Sequence, residues 1–286
     1  MTSAFKAPAK INLTLEVLRK LPNGFHELRT IMTKLPDLSD EISVIFNSKK
    51  DGIVIKSDSR KIPSDEKNIC YKVAKSFLKK TKENVGLEIH IKKNIPVGAG
   101  LGGGSSDGAA VLKILNKHFK SPLSQKQLID LASKIGKDIP FFFSEKNSAL
   151  IEGCGEKITQ TFETPLLNIL LVNPKIHVAT NLAYAKLSPL LGKIKRKSKI
   201  SESLIEAAKS GDAKTIAKYL HNDFEMVMEK EYPVIKKIKE ELLTLGADGS
   251  LMSGSGSTVF GIFTTKKALS EARKKLKKKY PNFLVK

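Results

Sequence analysis

Three observations in the sequence predict an α+β protein built in two lobes. Strand-like and helix-like segments are interspersed without the strict strand–helix–strand alternation of a parallel sheet. Between Val85 and Leu115 a strand runs through five glycines into a helix. The apolar run from Leu166 to Val172 then reads as a buried strand that opens a second lobe, which puts the domains at residues 1–163 and 164–286.

From Ala9 to Val17 the residues alternate, with Ile11, Leu13, Leu15 and Val17 on one face and Lys10, Asn12, Thr14 and Glu16 on the other. That pattern predicts a strand buried on one side only. Leu21-Pro22-Asn23-Gly24 is a turn, and Ile42 to Phe46 and Ile53 to Ile55 read as short strands. Ile69, Val73 and Phe77 recur at helical spacing across Asn68 to Lys80. Leu87, Ile89 and Ile91 alternate with polar residues in Val85 to Ile95, as in a half-buried strand. Ala109 to Leu115 reads as helix, as does Leu123 to Ile135, which Gly136 stops. Phe141-Phe142-Phe143 and Ala149-Leu150-Ile151 read as strands. In the second lobe helices are predicted over Glu202 to Lys209, Ala213 to Leu220, Val234 to Leu245 and Lys266 to Lys279, with a strand from Val259 to Phe263. Gly192 to Ser201 is basic and poor in apolar residues, as an exposed loop is.

Composition narrows the function classes. Apolar residues make up 41% and charged residues 28%, ordinary for a globular protein. No apolar run is long enough to span a bilayer, and Met1-Thr2-Ser3-Ala4-Phe5-Lys6 contains no apolar signal core, so no membrane partner is expected. Cys70 and Cys154 are the only cysteines, too few for a disulfide framework, and they fit a reducing cytoplasm. The net charge of +21, with lysine clusters at Lys193 to Lys199 and Lys274 to Lys279, raises a nucleic-acid reading. The lack of tryptophan, the 6% aromatic content and the absence of zinc-finger or RNP patterns argue against it as the main function. A basic field equally attracts small anions such as nucleotides.

The most specific segment is Pro96-Val97-Gly98-Ala99-Gly100-Leu101-Gly102-Gly103-Gly104-Ser105-Ser106. A glycine loop entering a helix presents unpaired backbone N–H groups and the positive end of the helix dipole, and so favours an anion. Glycine permits close backbone approach and positive φ. Together these point to a polyphosphate. Gly98, Gly100 and Gly103 fit the dinucleotide pattern, yet His118 to Leu123 offers neither the acid nor the second strand required there. No lysine follows the last glycine as in a Walker loop, and the protein-kinase signatures are missing.

Other candidates are weak taken singly. Met252-Ser253-Gly254-Ser255-Gly256-Ser257 could be a hairpin turn. Asp138, in Gly136-Lys137-Asp138-Ile139-Pro140, could be a turn or cap residue. A lone strand lysine such as Lys10 is commonly solvated, and a lone histidine such as His26 commonly lies on the surface. Their order along the chain is specific. Ala7-Pro8-Ala9-Lys10-Ile11-Asn12-Leu13, the glycine segment, the Asp138 segment and Met252 to Ser257 resemble the GHMP small-molecule kinases, from about Phe5 to Phe263. Asn23-Gly24-Phe25-His26-Glu27-Leu28 and Val178-Ala179-Thr180-Asn181-Leu182-Ala183-Tyr184 resemble the branch that acts on a cytidyl diphosphate sugar alcohol.

The resemblance implies a two-lobed GHMP kinase fold, with an N-terminal ribosomal-protein-S5-like lobe and a C-terminal ferredoxin-like lobe. It implies ATP-dependent phosphorylation of the 2-hydroxyl of 4-diphosphocytidyl-2-C-methyl-D-erythritol, on the non-mevalonate route to isoprenoid precursors. By the same resemblance Asp138 accepts the hydroxyl proton, while Lys10 keeps it ionised and balances charge on the phosphoryl oxygens. Pro96 to Ser106 hold the ATP phosphates and Asn68 contacts adenine. Asn12, Phe25, His26, Thr180 and Tyr184 hold the other substrate: Phe25 stacks on the cytosine, His26 reads its edge, and Thr180 and Tyr184 line the same pocket. Phe25 stands where the family often has tyrosine, so stacking survives and a hydroxyl contact is lost. Lys137 replaces a residue that is usually small. Mg²⁺ accompanies ATP, held by phosphates, water and the Ser105 or Ser106 hydroxyl, with no protein-built metal cage. A homoserine or mevalonate kinase, or a basic nucleotide-binding protein, are the alternatives. Monomer and homodimer both remain open.

Overall fold

The computed structural model describes residues 4–47, 51–194 and 200–286. The protein is α+β, as predicted. Contacts divide the chain into two compact units that interleave along the sequence. The first comprises Met1–Lys10, Lys34–Val97 and Gly102–Glu145; the second comprises Ile11–Thr33, Gly98–Leu101 and Lys146–Lys286. Two long strands pass from one unit into the other, β1 (Phe5–Lys20) and β2 (His26–Asn47).

In the first unit the chain continues through β3 (Ile53–Ser57), α1 (Ile69–Thr81), β4 (Gly86–Lys92), α2 (Gly103–His118) and α3 (Gln125–Ser133), then a short 3-10 helix at Ile139–Phe143. β4 is the central strand: Glu41 to Asn47 of β2 run antiparallel along one edge and β3 runs parallel along the other. Leu87, Ile89 and Ile91 are buried, the alternation predicted for a strand covered on one face. Cys70, Val73, Ala74 and Phe77 form the buried stripe of α1. Gly108 lets α2 approach it, since a Cβ there would lie 2.8 Å from Ile69 Cγ2. Ser124 starts α3 with a capping box closed by Gln127.

The second unit contains β5 (Ser148–Glu152), β6 (Lys157–Phe162), β7 (Asn168–Asn173), α4 (Thr180–Leu187), α5 (Ile200–Ser210) and α6 (Ala213–Tyr219). It continues with β8 (His221–Asn222), α7 (Glu225–Glu231), α8 (Pro233–Thr244), β9 (Gly249–Met252), β10 (Val259–Phe263), α9 (Lys266–Lys279) and β11 (Leu284–Val285). Here Thr30 to Thr33 of β2 pair with β5, and β1 pairs parallel with β8 at Thr14–His221 and Leu15–Asn222. A separate antiparallel sheet has the order β11-β7-β10-β9. Leu170, Val172, Val259 and Phe263 from this sheet share a core with Ile238 and Leu242 of α8 and Leu276 of α9.

Several expectations need correction. β1 is buried on both faces: Lys10, Asn12, Thr14 and Glu16 are between 0% and 5% exposed, because their polar groups have partners inside the protein. β2 begins at His26 rather than Ile42; Pro36 and Asp37 lie on its exposed middle, where a strand tolerates them but a sequence reading sees a break. Phe141-Phe142-Phe143 are 3-10 helix, started by Pro140, with all three rings buried rather than alternating. The strand expected at Leu166 starts at Asn168 and leaves Leu166 exposed. In the loop predicted for Gly192 to Ser201, a 3-10 turn runs to Lys193 and α5 begins at Ile200; residues 195–199 lie outside the described residues. The lysines of α9 form a solvated face opposite Ala272 and Leu276.

Candidate active site

In the first unit, Lys10 and Asp138 come together from residues 128 positions apart. Lys10 Nζ lies 3.8 Å from Asp138 Oδ2; the Lys10 side chain is 4% exposed and that of Asp138 34%. Asp138 stands at the N-cap position of the 3-10 helix but makes no side-chain cap hydrogen bond, so its carboxylate is directed to Lys10 instead. Burial pulls the Lys10 pKa below the usual lysine value, and Asp138 opposes that shift. Gly102 makes room for this lysine. It has φ +68°, and a Cβ there would sit 2.8 Å from Lys10 Cγ and 3.3 Å from the Phe142 ring.

α2 begins at Gly103, inside the glycine segment, so the N–H groups of Gly103, Gly104 and Ser105 head the helix, while Ser106 N–H closes the first turn by donating to Gly102 O at 2.9 Å. No residue in its first turn is acidic. Ser106 is 1% exposed, and its hydroxyl makes no hydrogen bond among the described residues. Gly103 itself packs against Ile95, 3.0 Å from an added Cβ, so a larger side chain there would first disturb the protein's own packing. Asn68 is a helix cap: its carbonyl accepts from Cys70 N–H at 2.8 Å and its amide donates to Pro63 O at 2.6 Å.

The earlier half of the segment, Gly98–Leu101, belongs to the second unit, where the other glycine-serine run braces it. Met252 to Ser257 is indeed the turn between β9 and β10, which pair at Met252–Val259. It also packs on the first loop. Ser253 Oγ donates to Gly100 O at 3.0 Å, and Thr258 N–H donates to Ala99 O at 3.3 Å. Gly98 and Gly100, at φ +66° and +77°, leave no room for a Cβ against His177 and Ser253 respectively. Asn222 fixes the second loop by donating to Met252 O and Gly254 O. Nothing in a single sequence signals these braces beyond the recurrence of glycine and serine.

The second unit also gathers the residues expected to hold a base. Phe25 is 53% exposed, just past the turn closed by Leu21 N–H on Phe25 O at 2.8 Å. His26 stacks on Tyr184, ring centroids 4.7 Å apart, and its Nε2 lies 2.5 Å from Ser188 Oγ. Burial, with Lys20 nearby, lowers the His26 pKa and favours a neutral imidazole, which offers one donor and one acceptor. Tyr184 is held edge-on by Phe224, at 4.9 Å. Thr180 opens α4, with its hydroxyl 3.1 Å from that of Ser255. Asn12 is fully buried and donates to Thr30 Oγ1 at 2.8 Å. Ser188 is not anticipated, because an isolated serine carries no periodic or motif signal, whereas Ser253 and Ser255 lie in the glycine-serine run the sequence singles out.

No helix among the described residues is long and apolar enough to cross a membrane. Among them, no group of three or more His, Cys, Asp or Glu side chains could hold a metal ion. The model of the GHMP kinases N-terminal domain matches residues 68–146, and that of the GHMP kinases C-terminal region matches residues 204–282. The chain is 44% identical, over 95% of its length and 93% of that protein's, to a 4-diphosphocytidyl-2-C-methyl-D-erythritol kinase of Caldicellulosiruptor bescii. A crystal structure of 4-(cytidine 5'-diphospho)-2C-methyl-D-erythritol kinase superposes with a TM-score of 0.80 at 30% identity, covering 99% of this chain and 97% of that one. Mevalonate kinase of L. major, in complex with R-mevalonate, superposes with a TM-score of 0.76 over 100% of this chain and 95% of that one; at 16% identity this likeness is one of fold.

Proposed function

We infer the activity of this chain from one premise: it belongs to the GHMP kinases and, among them, to the 4-diphosphocytidyl-2-C-methyl-D-erythritol kinases. It transfers the γ-phosphoryl group of ATP to the 2-hydroxyl of that cytidyl substrate, in non-mevalonate isoprenoid precursor synthesis. The geometric observation that carries this reading is the buried Lys10 facing Asp138 beside Gly102. The division into domains at 1–163 and 164–286 is part of the reading, since one family model falls on each side of it.

Phosphoryl transfer asks a protein for alignment and charge stabilisation more than for covalent chemistry. Asp138 takes the proton of the acceptor hydroxyl as the oxygen attacks. Lys10, buried and facing Asp138, orients its carboxylate and balances charge on the phosphoryl oxygens. The N–H groups from Gly100 to Ser105 hold the ATP phosphates at the positive end of α2, the Ser106 N–H being taken up by Gly102 O. The ring of Phe25 stacks on the cytosine and neutral His26 reads its edge, with Tyr184 and Thr180 completing that pocket. The unpartnered Ser106 hydroxyl is a hard oxygen donor and fits an Mg²⁺ otherwise coordinated by phosphates and water. Bound with ATP, that ion neutralises phosphate charge. Neither Cys70 nor Cys154 is in a disulfide, which suits the cytoplasmic location of this reading.

Release of ADP by the purified protein tests the assignment. Turnover is expected with the cytidyl substrate and not with homoserine or mevalonate; the reverse pattern would move the chain to a sister branch.

A further inference from the structure

Asp40, Lys93 and Asp107 form a buried cluster in the first unit to which the reaction above assigns nothing. Their side chains are 0%, 6% and 4% exposed. They come from β2, from the residue after β4, and from α2. Lys93 Nζ donates to Asp40 Oδ2 and, at 2.8 Å, to Asp107 Oδ2. The other Asp40 oxygen accepts the backbone N–H of Asn94 at 2.6 Å and of Ile95 at 2.8 Å. Asn94 and Ile95 lead directly into Pro96 and the glycine run. Asp107 follows Ser106, where that run has become helix. An ammonium therefore ties the chain entering the loop to the chain leaving it. The first residue of α2 rests on this tie, since a Cβ at Gly103 would lie 3.0 Å from Ile95 Cγ2 and 3.3 Å from Lys93 Nζ.

We propose that Asp40, Lys93 and Asp107 are positioning residues, a clamp that holds the two ends of the glycine loop at the separation ATP phosphates require. Stability alone is a poor reason for such a cluster. Burying two carboxylates against one ammonium carries a desolvation cost that apolar side chains of similar volume would avoid. The arrangement does supply fixed geometry: one cation with several donors, and one carboxylate accepting from three groups at once. Burial pushes the Asp107 pKa up to about 7 against the pull of Lys93. Burial also draws Lys93 down, but the two carboxylates outweigh it and leave its pKa raised. A neutral hydrogen-bonding group at position 107 thus resembles a state the cluster tolerates.

The proposal rests on reading this loop as the ATP cradle, and the test separates the two. ATP affinity, cytidyl-substrate affinity and amide hydrogen exchange across Gly98 to Ser106 are measured on the full chain. Lys93→Met and Asp107→Leu should each weaken ATP binding by about 10- to 100-fold, the range of a lost charge-assisted hydrogen bond. Both should speed loop exchange without ligand, and cytidyl-substrate affinity should stay within about threefold. The double variant should lose no more than the poorer single, because both break one link. Asp107→Asn, whose amide oxygen still accepts from Lys93, should restore most of the affinity. Asp107 Oδ1 accepts no hydrogen bond among the described residues, so Asp107→Leu removes the Lys93 bond at Oδ2 and the contact with Asp40, leaves the Lys93–Asp40 pair in place, and serves if Lys93→Met does not fold. Folded variants with wild-type ATP affinity and unchanged loop exchange would overturn the clamp. Equal loss of both ligands would also overturn it, by showing general destabilisation. A wild-type chain that binds no ATP would sink the cradle reading, while altered exchange in the free variants would still support the tie.

Discussion

The residues assigned to the phosphoryl group and those assigned to the base are built in opposite ways. Lys10 is 3% exposed on a strand buried on both faces, and Gly102 leaves it just enough room to reach Asp138. Phe25 is 53% exposed at the end of a turn, and His26 beside it is half-buried against Tyr184. The first group has its geometry imposed by packing before any ligand arrives. The second offers surfaces, and the ligand supplies the rest of the order. Damage should divide accordingly: turnover and stability at the phosphoryl residues, substrate affinity alone at the base residues.

The sharpest way to break this contrast is Asp138→Asn, which keeps shape and removes the proton acceptor. Steady-state kinetics should show kcat lower by about 10²–10⁴-fold, the usual contribution of a general base, with both KM values within severalfold of wild type. Lys10→Met should slow turnover too, and the double variant should lose less than the product of the single effects. A near-normal kcat with a raised KM for Asp138→Asn would make it a substrate-positioning group instead.

Gly102→Ala comes next. It forces a side chain into φ +68° and against Lys10 Cγ. Thermal unfolding should report a loss of about 1–3 kcal/mol for the strained backbone, and kcat should fall because Lys10 is displaced. Unchanged kcat in the destabilised protein would separate the strain from the chemistry.

Phe25→Leu probes the other side. Losing one stacked base should raise KM for the cytidyl substrate by roughly 5- to 100-fold, the equivalent of ~1–3 kcal/mol. The melting temperature and the KM for ATP should stay put, because an exposed ring contributes little to the core. A drop in stability would show Phe25 to be a packing residue.

The smallest effect expected is a pH dependence at His26. Folding lowers its pKa, so the neutral ring persists at pH 7, and the cytidyl-substrate KM should be flat from there upward. It should rise only under acidic conditions, when the imidazole gains a proton and loses its acceptor. His26→Gln should raise KM modestly and flatten that acid limb. The same limb persisting in the variant would assign it to another group.

The two regions also differ in how far the sequence discloses them. The glycine run, the helix after it and the strand before it are local patterns, and α9 was predicted at Lys266 to Lys279 as observed. Lys10 and Asp138 are separately unremarkable, and only the family likeness joined them. β2 was mostly missed because Pro36, Asp37 and the polar residues around them imitate a loop, whereas the strand is fixed by partners on β4 and β5. The polar face of β1 was assigned to solvent, since alternation cannot distinguish water from a buried hydrogen-bonding partner. Ser188, Ser253 and the Lys93 clamp depend on distant contacts that leave no periodicity behind.

β1 has one more consequence, for the order in which the protein can be made. Its Leu15 O accepts from Asp223 N–H, and its Val17 N–H donates to Asp223 Oδ2 across 206 residues of sequence. β8, its parallel partner, consists of the two residues just before Asp223. A ribosome adding 5–20 residues per second needs roughly 10–40 s to deliver that partner after Val17 has been synthesised. Throughout that interval the strand that carries Lys10 has an unpaired edge, open to other strands and to chaperones. A kinase whose first strand waits for its last third is therefore most vulnerable to misassembly while still attached to the ribosome.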